Sequence, residues 1–171
     1  EARSPAHRRL IFDELFTLEL ALALRRAGVK EEDGVRLDAP GDLVASFVQS
    51  LPFPLTGAQA RVIGEIDQDL ESAHPMHRLL QGDVGSGKTV VAAYAAMRAV
   101  EAGYQAAIMA PTEILAEQHF RGLQPYFTAA NILPILLTAS LTDKDRQRAR
   151  RRIALGDAKV VIGTHAVIQK G

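Results

Sequence analysis

Gly82-Asp83-Val84-Gly85-Ser86-Gly87-Lys88-Thr89 is the stretch on which the reading of this chain turns. It meets the spacing G-x-x-x-x-G-K-[ST] at every specified position. Arg78-Leu79-Leu80-Gln81 before it is short and apolar enough for a buried strand, and Val90 to Met97 after it reads as a helix. Strand, glycine loop and helix form the context that a phosphate-binding loop requires. Glycines let backbone N–H groups turn inward around a phosphate where side chains would block the approach. The helix N-terminus adds partial positive charge and Lys88 adds a full one. Thr89 offers a hydroxyl to a magnesium ion shared with the β- and γ-phosphates. Lys88 and Thr89 are thus the catalytic candidates, and Gly82, Asp83, Val84, Gly85, Ser86, Gly87, Lys88 and Thr89 the nucleotide-binding ones.

Outward from the loop, the bulk properties narrow the function classes. A chain of 171 residues can build one core. Its net charge is zero, so nucleic acid would be held by a local patch rather than a global field. It has no cysteine, which excludes disulfides and thiolate metal sites. No apolar run reaches membrane-spanning length. The five histidines show no ligand spacing, and none is assigned to a metal. Glu1 stands where an initiator Met would, so the sequence is expected to be a piece of a longer protein.

Upstream, Ser4-Pro5 predicts a helix start and Gly28 a stop. Leu10, Ile11, Leu15, Leu18 and Leu22 form one apolar stripe, and Phe12, Phe16, Leu20 and Leu24 a second. An arc that wide predicts burial on more than one side: the plain reading is a helix clamped against the following domain, and the sharper one that part of it packs on an absent neighbour. Residues 29–41 read as a linker loop and Leu43–Leu51 as a short helix ended by Pro52. Thr56 and Gln59 have capping-box spacing and open a helix with Val62, Ile63, Ile66 and Leu70 on one face. Two readings stand for Gln59: the cap itself, or an amide that reads an adenine edge through one donor and one acceptor.

Downstream the pattern repeats. Strands are expected at Ala106–Ala110, Leu133–Leu137 and Lys159–Ile162, with helices from Glu113 to about Leu123 and from the Thr142 cap to about Leu155. Alternating strands and helices imply parallel pairing, with ligands at the carboxyl ends of the strands. Three strand ends, Ala110-Pro111-Thr112-Glu113, Thr138-Ala139-Ser140 and Gly163-Thr164-His165-Ala166, therefore face the edge that carries the loop. Their hydroxyls and N–H groups suit either ordinary caps and turns or the phosphates of a nucleic acid. The basic run Lys144, Arg146, Arg148, Arg150, Arg151 and Arg152 reads first as a solvated helix face, with DNA contact second.

These residues resemble the RecG family of branch-migrating DNA helicases, in superfamily 2. The resemblance rests on Phe53 to Gln59, His74 to Thr89, Ala110 to His119 and Gly163 to Ala166, and covers nearly the whole chain. It implies an α/β fold: a three-layer P-loop NTPase (RecA-like) parallel sheet with helices on both faces, preceded by a long linker helix. Residues 1–45 would join an absent DNA-binding wedge domain to the motor, and residues 46–171 would be the N-terminal part of the first RecA-like lobe. It implies ATP and Mg2+ at motif I. It implies an adenine-reading Q motif at Gln59 with Phe53, and a DNA track at Thr112, Glu113, Thr138, Ser140, Thr164 and His165. Ala139 replaces the glycine of the family's T-G-S motif. The parent would be a bacterial, cytoplasmic ATP-dependent helicase acting on forks and Holliday junctions, with no membrane contact. The chain ends before the expected Asp-Glu motif, so alone it is expected to bind nucleotide without efficient hydrolysis. The related transcription-repair coupling translocase, a small P-loop kinase and a non-motor nucleotide-binding module are the alternatives. The kinase reading lacks a lid segment.

Overall fold

A computed structural model describes residues 4–30, 33–38 and 40–168, residues 25–30 by their backbone. Glu1 and Gly171, which bound the expected segments, lie outside the described residues. Six α-helices are described: α1 (Pro5–Lys30), α2 (Asp42–Gln49), α3 (Gly57–Leu70), α4 (Lys88–Glu101), α5 (Glu113–Ala129) and α6 (Asp143–Ala154). They alternate in their second half with strands β1 (Ala106–Met109), β2 (Ile135–Leu137) and β3 (Val160–Gly163), and a short 3-10 turn follows at His165–Val167.

The strands form one parallel sheet in the order β1-β3-β2. Met109 and Leu137 both stand opposite Gly163, which aligns the three carboxyl ends. Val160 and Ile162 face a core built from α2, α3, α4 and α5, while Val161, Ile135 and Leu137 face Ala149 and Ile153 of α6. Helices thus cover both faces, as the expected three-layer architecture requires. The larger core centres on Phe47 and Phe127, fully buried with ring centroids 6.1 Å apart. Burying each such ring contributes about 2–3 kcal/mol.

Two expectations fail. Arg78–Gln81 forms no strand. An apolar run gains strand geometry only from a ladder partner, and among the described residues none pairs with it. Leu80 is half-buried against the main core, whereas Leu79 is 81% exposed. The segment is held instead by Arg78, whose guanidinium pairs with Glu65 and Asp69 on α3. The expected clamping of α1 is also not seen among its described side chains. Leu10, Leu15, Leu18, Leu20, Leu22 and Leu24 are exposed, as are Phe12 and Phe16, which stack on each other. The helix starts where expected, with Ser4 accepting from the His7 N–H. It passes Gly28 and ends at Lys30.

Smaller differences have local causes. α5 runs past Leu123 and through Pro125 to Ala129. Leu123 and Phe127, one turn apart, are both buried, and their burial outweighs the hydrogen bond that proline removes. The N-terminus of α2 has no cap of its own. Glu101 of α4 supplies one, accepting from the Gly41 and Leu43 N–H groups at 2.7 Å each. The segment before α2 is anchored as well, by Gly34 N–H to Ala73 and Leu37 N–H to Leu70.

Candidate nucleotide site and strand-end edge

Residues 82–87 lie between Gln81 and the first turn of α4. Gly85 and Gly87 both have φ of +82°, in the left-handed region that favours glycine. The Ser86 N–H closes a turn onto Asp83 O at 3.2 Å. Among the described residues, the N–H groups of Gly85, Gly87, Lys88 and Thr89 meet no acceptor. Four unpaired donors at one helix start form a cradle for an anion.

Lys88 does not point away from this cradle. Its Nζ reaches across the loop to Gly82 O at 2.8 Å and Asp83 O at 2.7 Å. Thr89 is half-buried in the first turn of α4, and its hydroxyl has no partner among the described residues. This donor set fits a polyphosphate and a hard divalent cation. Val84 at the loop tip is fully exposed and contributes only its backbone.

Gln59 makes the cap that the first of its two readings requires. Thr56 and Gln59 make the reciprocal capping box at the start of α3. The same Gln59 amide donates through Nε2 to Ser86 O at 3.0 Å. A cavity of about 350 Å³ opens between α3 and the loop, lined by residues that include Thr56, Gln59, Val62, Gly82, Ser86 and Lys88. Phe53 does not line it and is 41% exposed.

The strand ends converge as the topology demands, but their side chains differ in availability. Thr112 is exposed and caps α5, accepting from the Leu115 N–H. Glu113 turns inward, and its Oε1 accepts from the Ser140 N–H at 3.1 Å. Thr138 is buried, its hydroxyl 2.9 Å from that of Ser140, which is itself exposed. Thr164 is half-buried and His165 exposed. The surface of this edge is thus made by Thr112, Ser140, Thr164 and His165, with Glu113 and Thr138 holding the loop between β2 and α6.

Sequence reading missed one polar network behind the site. Arg98 of α4 is 1% exposed, with its Nε 2.8 Å from Asp67 of α3 and further contacts to Glu71 and the Asp38 carbonyl. Tyr94 donates to the other oxygen of Asp67 at 2.9 Å. Burial, reinforced by the Asp67 carboxylate, pushes the Tyr94 phenol well above its ordinary range. The available signal was a lone arginine in the apolar second half of α4, with acids one turn apart at Asp67 in the last turn of α3 and Glu71 just past its end.

A glycine loop feeding a helix N-terminus, in a chain whose parallel sheet carries helices on both faces, defines a P-loop nucleotide-binding lobe. The DEAD/DEAH box helicase family matches residues 56–170, and the chain belongs to that family. It is 46% identical over 171 residues to the ATP-dependent DNA helicase RecG of Synechocystis sp. (strain ATCC 27184 / PCC 6803 / Kazusa), covering 99% of this chain and 21% of that relative. It is 45% identical to RecG of Bacillus subtilis (strain 168) over 170 residues, covering 99% and 25%. The chain therefore spans about a quarter of the length of the curated relatives it matches, or less. A solved structure of RecG bound to a three-way DNA junction superposes with a TM-score of 0.87 at 45% identity, covering 96% of this chain and 22% of that one. A hypothetical ATP-dependent RNA helicase from Sulfolobus tokodaii shares the fold alone, with a TM-score of 0.55 at 16% identity over 75% of this chain and 35% of that one.

Proposed function

We propose that this chain is part of the first motor lobe of a RecG-type ATP-dependent DNA helicase, which remodels forks and branched junctions in recombination and repair. The observation that carries the reading is the row of unpaired N–H groups at Gly85, Gly87, Lys88 and Thr89 with the Lys88 ammonium across it. The RecG name of the relatives favours this over the coupling translocase or a nucleotide-binding module without motor activity.

In this reading the loop N–H groups and Lys88 bind and orient the phosphates, and the Thr89 hydroxyl holds Mg2+. Bound MgATP would supply the phosphoanhydride bond whose hydrolysis drives translocation. Gln59 reports nucleotide to the loop, because its amide already joins α3 to Ser86. Thr112, Ser140, Thr164 and His165 hold a DNA backbone at the strand-end edge, and Glu113 and Thr138 position that edge. Residues 1–45 form the joint to a wedge domain, consistent with the exposed leucines of α1, and residues 46–171 belong to the lobe. Water positioning and the arginine finger come from the rest of the parent, including a second lobe. The parent works in the bacterial cytoplasm. No helix among the described residues is long and apolar enough to cross a membrane.

The test is MgATP turnover by this chain and by the full-length protein, each with and without branched DNA. The expected result is nucleotide binding without efficient turnover by the chain, and DNA-stimulated turnover by the full-length protein. A full-length protein whose turnover ignores DNA would contradict the motor assignment.

A further inference from the structure

α6 carries a concentration of positive charge that the nucleotide site does not use. Its two acids are committed: Asp143 pairs with Arg146 at 3.2 Å, and Asp145 accepts from the Thr142 hydroxyl at 2.6 Å. Arg146 is turned toward the loop before the helix, donating to Ala139 O at 2.6 Å and Leu141 O at 3.0 Å. That removes it from the outer face. Lys144, Arg148, Arg150 and Arg151 remain exposed, and among the described residues none forms a salt bridge. They line one open concavity together with Gln147 and Ala154.

This arrangement is locally unfavourable in the free chain. Lys144 and Arg148 are four residues apart and Arg148 and Arg151 three, spacings at which like charges repel on a helix. The helix dipole explains cations in the last turn, such as Arg151. It opposes Lys144 in the first turn, where the N-terminal end is already positive. A solvated face would not need such clustering in a chain of net charge zero.

We propose that this face of α6 is a second nucleic-acid contact, binding the phosphate backbone outside the strand-end track. The partner must be a dense, regular anion. From Lys144 to Arg151 the helix rises about 10 Å, a length over which duplex DNA presents about six charges. The concavity offers Gln147 and Ala154 but no aromatic anchor of the kind that dominates protein interfaces. Its position is continuous with the candidate track, because α6 begins three residues after Ser140. Arg146 fastens that connection to the helix. The face sets no sequence preference, since phosphate contacts carry none.

The inference rests on the DNA-binding reading above, and the test separates the two. Binding of the full-length protein to a fluorescent duplex is measured by anisotropy over a series of KCl concentrations, for the native protein and for the Lys144→Gln/Arg148→Gln/Arg151→Gln variant. The variant is expected to bind at least tenfold more weakly at low salt, with a salt slope shallower by about 2.7, or 0.9 per cation removed. The charge-keeping Lys144→Arg/Arg148→Lys/Arg151→Lys variant should bind like the native protein, and all three should bind MgATP alike. Native binding with an unchanged slope in the Gln variant overturns this inference alone. Loss of affinity for a polyglutamate peptide with DNA binding intact also overturns it, assigning the face to an acidic protein. Absence of DNA binding by the native protein overturns both readings.

Discussion

Gln59 and Ser86 are joined across 27 positions of sequence by a single hydrogen bond, Nε2 to the carbonyl oxygen at 3.0 Å. The other end of the same amide, Oε1, accepts from the Thr56 N–H at 2.9 Å. One side chain therefore caps α3 and touches the phosphate loop. Glutamate keeps the acceptor and loses the donor, which separates the two tasks. Gln59→Glu should retain the stability of α3, whereas Gln59→Ala should lose about 1 kcal/mol in urea unfolding. Both should weaken nucleotide binding, the glutamate more, because it adds negative charge beside the cradle. Equal affinity in all three proteins would show that Gln59 serves the cap only.

Two glycines in the loop make a matched comparison. Gly85 and Gly87 share φ of +82°, but a Cβ at Gly85 would meet open space. At Gly87 it would lie 2.2 Å from Gln59 Nε2. Gly85→Ala should cost only the left-handed penalty, about 1–2 kcal/mol. Gly87→Ala should cost more and weaken nucleotide binding further, because Gln59 must be displaced. Paired urea denaturation and nucleotide titration would rank the two.

Much of this was legible in the sequence, and the physical reason is range. The capping box and the loop involve residues within eight positions, so their chemistry shows in the spacing. The parallel pairing followed from the alternation of elements, whereas the order β1-β3-β2 did not. A strand at Arg78–Gln81 depends on a ladder partner elsewhere in the chain, which no local pattern reports. The inward turn of Arg146, and the commitment of Glu113 to the Ser140 N–H, are set by carbonyls and amides of folded loops. Thr138 read as an edge hydroxyl because Thr and Ser serve caps and surfaces alike. Its burial comes from the packing of β2.

Arg98 should be the costliest charge to remove. It is 1% exposed, and its loss leaves Asp67, itself 19% exposed, without its cation. Arg98→Met should destabilise the chain by about 3 kcal/mol in urea unfolding. Because Asp67 lies on α3 and Arg98 on α4, the variant should also loosen Gln59 from the loop and weaken nucleotide binding. A variant as stable as the native chain would show that packing alone sets α3 on α4.

Tyr94 gives the chain a sensitivity to alkali. Its phenol is raised above the unfolded value near 10, so the folded state holds the proton more tightly. The stabilisation is full below about pH 10 and is lost as pH rises above it, since the unfolded state releases its proton first. Melting temperature should therefore fall more steeply above about pH 10 in the native chain than in Tyr94→Phe. Parallel curves would remove Tyr94 from the account.

The central claim is that residues 82–89 hold the phosphates of a nucleotide, and isothermal titration of this chain with MgATP tests it most directly. Native chain should bind and Lys88→Ala should lose at least tenfold in affinity, with its melting temperature little changed because the lysine bonds only carbonyls of the exposed loop. Equal affinity of the two proteins for MgATP, or no binding by a folded native chain, would contradict it.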